Sequence, residues 1–519
     1  MKKGSLLIGA LLALGFFVRL FEAAYRYLNA DEALHYLLSV APSAAGAYHA
    51  SLTTVHPPLL ILFLHYWGML GHSELFLRLP SLMAGTAFCW LMYRWLRLVS
   101  DDDVALFGLV LLLFCPALVL LSAEIRQYAL LLFFSSAGLY LLELAIQQGS
   151  ALKMLASAGL LALALLTHYS SLVIALSLGV YALLRFISAK PSARVLAAWV
   201  FGQLCALAIV CFLYLTHISK LESRGAAENI AATYLRRSVL QPGEDHVLPF
   251  VLRANLRLFH FFFYQGAVGV IALVLFLAGI TVLLRRRAGA AQPHRPSDRV
   301  LAAFFLTPFA VNCALAVLRI YPYGGTRHNS YLAIFLFPAI ALALAHWQGR
   351  WKAQKIILII TVSAICLAFP APTDQYISLK DQDRARMLAA TEVLAKLPPG
   401  SSIFTDDQGA LTLSYYLCHH QVAQIEHAEP FMKSACGDSS VVALDPGKWI
   451  FKADTFTREL HQARRKYDWN STTSLWLFQA GWFVDKESEL RQQLQAYGCA
   501  PGTQYGRNIL LCRLALPAE

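Results

Sequence analysis

The sequence predicts a mainly α, polytopic membrane protein with about 11 transmembrane helices, interfacial helices in a long first loop, and a C-terminal extracytoplasmic α/β domain. Three observations lead there. Apolar runs of membrane-spanning length recur through the first 370 residues. Only 14% of the 519 residues are charged, against about 25% in soluble domains. After residue 370 polar and apolar residues mix at soluble frequencies and four of the ten cysteines gather. Residues 1–370 are therefore read as the membrane domain and 371–519 as the extracytoplasmic one.

The spans fall at 5–21, 76–96, 104–122, 129–146, 153–167, 171–187, 195–216, 266–284, 300–319, 330–347 and 354–370. Lys2-Lys3 ahead of the first suggest a signal peptide, but the apolar run is long and no small-residue cleavage site closes it before Arg19. It reads as an uncleaved anchor. With a cytoplasmic N-terminus, the basic groups Arg94/Arg97, Arg185–Arg194, Arg285–Arg287 and Arg350–Lys355 all fall on the cytoplasmic side, as short-loop cations should. This topology accounts for much of the +12 formal charge. It leaves no reason to invoke nucleic acid.

The first loop, 22–75, holds two candidate interfacial helices, at 30–40 and 58–70. Pro57-Pro58 suit a helix start, where a missing N–H is harmless. The LLILFLHYWGML run that follows is apolar but too short to span, and it sets Tyr66 and Trp67 at headgroup depth. The loop 217–265 joins Arg224, Arg236, Arg237, Arg253 and Arg257 to an aromatic run from Phe259 to Tyr264. That suits either an anionic lipid headgroup or ordinary snorkelling.

In the terminal region SSIFTD, VVALD, SLWLFQ and NILLCRLAL read as strands, and ALTLSYYL, 455–467 and 486–497 as helices. Asp406-Asp407 follow the first strand and could be mistaken for a catalytic pair, but a strand-end turn or helix cap is the better reading. Cys418, Cys436, Cys499 and Cys512 imply two disulfides in an oxidising compartment, paired by proximity as Cys418–Cys436 and Cys499–Cys512. A zinc site is the alternative, without a CxxC pair to support it.

The side predicted to face away from the cytoplasm collects Asp31, Glu32, His35, His56, Arg78, Glu124, Arg126, Tyr128, His168, Tyr169, Arg327 and His328, mostly at the mouths of different spans. Carboxylates beside a membrane are functional hypotheses by default. The AEIRQYALL turn is short enough to hold Glu124 and Arg126 near hydrocarbon depth. There they pair with each other or face a wet cavity. A carboxylate can take a proton from an acceptor hydroxyl, and arginines grip phosphate with a planar fork of donors. Together these fit sugar transfer from a lipid-linked phosphate, with cations stabilising the leaving oxygen.

NADEALHYLL, VHPPLLILFLHYWGMLGHSELFLRLPS, SAEIRQYALL, LLTHYSSLVIAL and GGTRHNSYLAIFLFPAIAL occur in that order. Over roughly residues 5–350 the chain resembles the GT-C superfamily of membrane glycosyltransferases, of the protein mannosyltransferase and aminoarabinose transferase type. The resemblance implies the GT-C fold and an enzyme of a bacterial inner membrane, with active site and terminal domain in the periplasm. It implies transfer of a sugar from a polyprenyl-phosphate donor to a lipid, glycan or protein acceptor. It also implies Asp31 as general base, Glu32 orienting acceptor or base, and Glu124 as a second acidic position. Arg126 and Tyr128 would approach donor phosphate or sugar, His56 would bind phosphate when protonated, and Arg327, followed by His328, would clamp the phosphate. Val55 and Leu34 stand where the aminoarabinose branch has an acidic and a basic residue. Both departures weigh against that branch. Val55 also weighs against a divalent metal, so no cofactor is expected, although His35, His56 and His168 would form a metal site if they converged. A transporter without covalent chemistry is the alternative. No inverted repeat supports it, and the acids gather on one face. A membrane-anchored scaffold would tolerate loss of Asp31.

Overall fold

The computed structural model describes residues 2–220, 235–285, 295–347, 382–418, 426–428, 430–445, 449–481, 488–499 and 508–516. The helices of the first 350 residues are α1 (Lys2–Tyr25), α2 (Ala30–Ser39), α3 (Ala44–Ser51), α4 (Leu59–Gly68), α5 (Glu74–Val99), α6 (Asp102–Phe114), α7 (Pro116–Ser122), α8 (Gln127–Gln148), α9 (Ala151–Thr167), α10 (Ser171–Ala189), α11 (Ala193–Leu213), α12 (Val247–Phe263), α13 (Gly266–Arg285), α14 (Asp298–Val317) and α15 (Ala333–Trp347). A 3₁₀ segment, Arg327–Leu332, leads into α15. The rest comprises α16 (Arg384–Ala395), β1 (Ser402–Thr405), α17 (Asp407–Tyr416), β2 (Glu426–Ala428), β3 (Phe431–Cys436), β4 (Ser439–Leu444), α18 (Ala453–Lys466), β5 (Leu475–Ala480), α19 (Ser488–Gln495) and β6 (Ile509–Leu514). Compact packing divides the chain into two units. One is Met1–Glu22, Tyr48–Phe63 and Arg78–Pro372; the other is Ala23–Ala47, Leu64–Leu77 and Thr373–Glu519.

In the first unit, 8 described helical segments are long and apolar enough to cross a membrane, or 9 if the bent pair α6–α7 is one span. This is a multi-pass membrane protein. Against the eleven expected spans, α9 has 17 residues. At 1.5 Å per residue that is about 26 Å, just under a hydrocarbon core of about 30 Å. The span expected at 354–370 lies outside the described residues, as do Arg224, Arg286, Arg287 and the Arg350–Lys355 group. Gly279 lets α13 touch α15, because a Cβ there would collide with the Ala339 carbonyl. Small residues at helix contacts are the usual means of close approach in lipid.

Two buried arginines organise this unit. Arg19 on α1 is fully buried, and Nη1 donates to Leu113 O at 2.8 Å and to Gly15 O at 3.0 Å, while Nη2 donates to Leu112 O at 3.1 Å. Leu112 would normally accept from residue 116, but Pro116 has no N–H. The chain bends by 60° there, and Arg19 supplies the missing donor. Arg185 on α10 holds Glu143 of α8 through two bonds, Nη2 to Oε1 at 2.8 Å and Nε to Oε2 at 3.1 Å. The Tyr181 hydroxyl donates to the same carboxylate at 2.7 Å. Both ionic side chains are wholly buried, so Arg185 is an ion-pair partner inside the bundle and not the loop cation expected from its position. The run Phe259–Tyr264 also differs from expectation. Phe259, Phe261, Phe262, Phe263 and Tyr264 are buried, so they pack inward and do not form an interfacial belt. Exposed on α12 are Val247 at its start and Leu248, Leu252 and Leu256, the last three one stripe at helical spacing.

The second unit is built on a six-stranded sheet of order β2-β3-β4-β1-β5-β6. Strand β1 runs parallel to β4 and β5, and the remaining pairs are antiparallel. The four expected strands became β1, β4, β5 and β6, while the hairpin β2–β3 was not foreseen. The disulfides are Cys418–Cys436 and Cys499–Cys512, as proximity suggested. One core of this unit includes Met387, Leu394, Ile403, Leu413, Phe478 and Leu511, and into it goes Tyr27 from just past α1. The interfacial helix expected at 30–40 is α2. Around the 58–70 segment, realised as α4, Trp67 stacks on Phe76 with ring centroids 4.7 Å apart. Tyr66 is 60% exposed.

Removing one partner of a buried ion pair strands the other charge. Glu143→Ala is expected to destabilise the chain by about 3–5 kcal/mol, whereas Glu143→Leu combined with Arg185→Leu recovers most of that loss. Thermal unfolding of the three proteins in detergent measures both effects.

Candidate functional site

In the first unit, residues from four distant stretches meet at span ends. His56 precedes α4, Tyr128 opens α8, His168 caps the end of α9, and His328 lies in the 3₁₀ segment before α15. The ring centroids of His56 and His168 are 5.4 Å apart, those of Tyr128 and His168 are 5.4 Å apart, and His328 lies 6.2 Å from His168 and 6.3 Å from Tyr128. The Arg126 guanidinium sits 5.7 Å from the Tyr128 ring centroid. Glu124 and Arg126 occupy the turn between α7 and α8 and are both 3% exposed. The convergence read from the sequence for His56, Arg126, Tyr128, His168 and His328 is therefore present.

The hydrogen bonds around this cluster fix its proton positions. Nδ1 of His168 accepts from the Ser170 N–H at 3.1 Å, which makes Nε2 the protonated nitrogen. Burial and then the nearby Arg126 charge push His168 down to about 3, so its ring is neutral at physiological pH. Nε2 of His217 donates to Thr54 O at 2.7 Å, and Nδ1 accepts from the Tyr169 hydroxyl at 2.6 Å. His217 thus pins the loop that carries His56. Among the described residues, the Tyr128 hydroxyl is buried without a hydrogen-bond partner, as are both amide atoms of the adjacent Gln127. Buried polar atoms of this kind normally have partners, and their exceptions point to bound ligand or solvent.

The GGTRH stretch is shaped by its glycines. Gly324 adopts φ +131°, a backbone region favouring glycine, and a Cβ on Gly325 would stand 2.6 Å from Arg257 O. The chain thereby passes directly over α12 before Arg327. Asn329 Nδ2 donates to Pro322 O at 3.2 Å, and the Tyr321 hydroxyl donates to His328 O at 3.2 Å. The loop holding Arg327 and His328 is braced by its own backbone.

Asp31, Glu32 and His35 lie in the second unit, on α2. Asn29 and Glu32 close a capping box. The Asn29 side chain accepts from Glu32 N at 3.1 Å, and Glu32 Oε2 accepts from Asn29 N at 3.1 Å and Asn29 Nδ2 at 3.0 Å. Glu32 is completely buried. In this position its carboxylate holds the start of α2. Asp31, one residue earlier, is partly exposed. His35 Nδ1 bonds the Asp31 carbonyl at 2.6 Å. Arg78, on α5, is fully buried. Among the described residues no group of three or more His, Cys, Asp or Glu side chains is arranged to hold a metal ion.

Sequence reasoning passed over Asn29, Gln127, His217 and the Tyr415-Tyr416 pair. The N-x-x-E spacing was a legible signal for the first. The others take their roles from partners far away in sequence.

The profile of the family described as Dolichyl-phosphate-mannose-protein mannosyltransferase matches residues 55–218. Among solved structures, ArnT from Cupriavidus metallidurans in the apo state is similar at TM-score 0.54 and 12% identity, covering 99% of this chain and 100% of that chain. The same protein bound to undecaprenyl phosphate gives TM-score 0.54 and 13% identity, covering 100% of both chains. No curated protein matches this chain. The resemblance to the GT-C membrane glycosyltransferases is borne out, and the fold is theirs.

The second acid pair has a structural use. Asp406 is the N-cap of α17, accepting from Gly409 N at 2.9 Å, and it also accepts from Gln479 Nε2 at 3.0 Å. Burial raises Asp406 from 3.8 to about 7, and burial with Asp406 and Asp445 nearby raises Asp407 equally. The folded chain therefore holds extra protons between those values. Their contribution to stability is fully present at acidic pH and is lost as pH rises through the window. Asp407→Asn is expected to raise the melting temperature of the full chain in detergent at pH 8, and to raise it less at pH 5, as scanning fluorimetry reads.

Proposed function

We propose that this protein is a polyprenyl-phosphate-sugar-dependent glycosyltransferase. The observation that carries the reading is the cluster of Arg126, Tyr128, His56, His168 and His328 at span ends of a GT-C fold, with the Tyr128 hydroxyl buried and without a partner among the described residues. Further support comes from ArnT, a protein of the same fold that binds undecaprenyl phosphate, and from the mannosyltransferase family matching residues 55–218.

In this reading Asp31 takes the proton of an acceptor hydroxyl. The acceptor oxygen bonds to the anomeric carbon as the bond from that carbon to the phosphate oxygen breaks. Polyprenyl phosphate leaves with the electron pair, and Arg327, with Arg126 or His56, stabilises its charge. A single displacement inverts the anomeric centre. Glu124 supports the acceptor or the cations beside it. No metal is assigned, because Val55 stands where an acid would be needed. The two disulfides suit an oxidising compartment, so the site and terminal domain are assigned to the periplasmic face of a bacterial inner membrane. The acceptor is a lipid, glycan or protein of that face.

Purified protein incubated with a panel of undecaprenyl-phosphate sugars is expected to release undecaprenyl phosphate, read by mass spectrometry and unchanged by EDTA. Asp31→Asn should lower release by about 10²–10⁴-fold with the fold intact. Arg327→Ala should lower it by about 10²–10³-fold. Full activity in Asp31→Asn contradicts the assignment of the base.

A further inference from the structure

The backbone that leads into α2 is built into the terminal α/β domain. Arg26 forms an isolated antiparallel bridge with Asp383, and Tyr27 N–H donates to Gln382 O at 3.0 Å. The Tyr27 side chain lies in the domain core. Leu28 N–H then donates to the Tyr416 hydroxyl at 2.7 Å. That hydroxyl in turn donates to the Glu74 carboxylate, which also accepts from Arg384 Nε. The next residue, Asn29, is the N-cap of the helix bearing Asp31.

Tyr415 grips the same helix further along. Its ring packs edge-on against Tyr36, with centroids 5.5 Å apart, and its hydroxyl donates to His72 O at 2.7 Å. The Tyr36 hydroxyl meets His72 Nδ1 at 3.0 Å. Both tyrosines end α17, and two residues later Cys418 is tied to Cys436 at the end of β3. A buried Leu28 N–H cannot be satisfied by α2 itself, since it precedes the cap. Its partner has to come from elsewhere, and here it comes from Tyr416.

We infer that Tyr416 is a positioning residue: its hydroxyl, held between Leu28 N–H and Glu74, fixes where the Asp31 helix begins, and through it the terminal domain serves the reaction. This rests on the assignment of Asp31 as base. Asp31 sits three residues beyond Leu28, so a shift at Leu28 moves the capping box and the carboxylate together. Tyr416→Phe keeps the packing and removes only the hydroxyl.

The test is hydrogen–deuterium exchange on the full chain in detergent, without substrate, combined with kinetics on the undecaprenyl-phosphate sugar panel. Tyr416→Phe should speed exchange in a peptide covering 27–32 about five- to tenfold, the scale of one lost buried hydrogen bond. A peptide covering β1 should keep its protection. kcat should fall while KM for the lipid donor holds. Glu74→Gln, which retains an acceptor for Tyr416, should give a smaller effect in the same direction. Unchanged exchange over 27–32, or faster exchange with unchanged kcat while Asp31→Asn is inactive, overturns the inference. If Tyr416→Phe also loses β1 protection, Glu74→Gln decides on the same two readouts. Turnover by Asp31→Asn would instead remove the base assignment, and the exchange result would still decide the anchoring.

Discussion

A carbonyl freed inside hydrocarbon has to find a donor, and the helix break at Cys115–Pro116 is where this chain meets that demand. Pro116 removes the N–H that Leu112 O would have used. Arg19, from a helix nearly a hundred residues earlier, takes its place and also satisfies Leu113 O. A charged side chain is expensive at such depth unless its donors are occupied. The break provides carbonyls for Arg19, and Arg19 provides donors for the break. The 60° bend that results ends α7 in the short turn carrying Glu124 and Arg126. Without the bend these two residues would continue a straight helix. With it they lie in an irregular segment leading directly to Gln127 and Tyr128.

The same economy of donors and acceptors governs the histidines. His168 and His217 each have one nitrogen occupied as acceptor, and in His217 the other is occupied as donor. A neutral ring with a defined tautomer suits the position of His168, where an extra proton would add a buried charge beside Arg126. The permanent positive charge of this cluster is therefore arginine. His168 contributes shape and a directed hydrogen bond, and His56 sits on the loop that His217 pins, where its N–H also bonds the Thr54 hydroxyl at 3.4 Å.

The spans and most of the sheet were legible in the sequence because their signals are local. An apolar run of adequate length declares a span wherever it packs, and β1, β4, β5 and β6 carry the short apolar runs of buried strands. The hairpin β2–β3 was hidden because Met432, Lys433 and Ser434 interrupt the pattern at an antiparallel edge. Arg185 was misread for a related reason. A basic residue near a span end looks the same whether it meets water or Glu143, and only the tertiary partner, 42 positions away, distinguishes them. The site was legible as residue types at span mouths. The distances among His56, Tyr128, His168 and His328 depend on helix packing, which no local pattern encodes.

The two acid pairs illustrate how local structure separates chemistry from architecture. Asp31-Glu32 and Asp406-Asp407 both stand at helix starts, where negative charge is favoured by the exposed amides. At α17 the first acid is the cap. Asp406 is wholly buried and accepts from Gly409 N and Gln479 Nε2, so its oxygens serve the fold. At α2 Asn29 takes the capping position and Glu32 closes the box, both of them buried. Asp31 falls between them, on a turn already capped by its neighbours, and remains partly exposed. The partial exposure of Asp31 is thus a property of the N-x-x-E frame around it, and not of the aspartate alone.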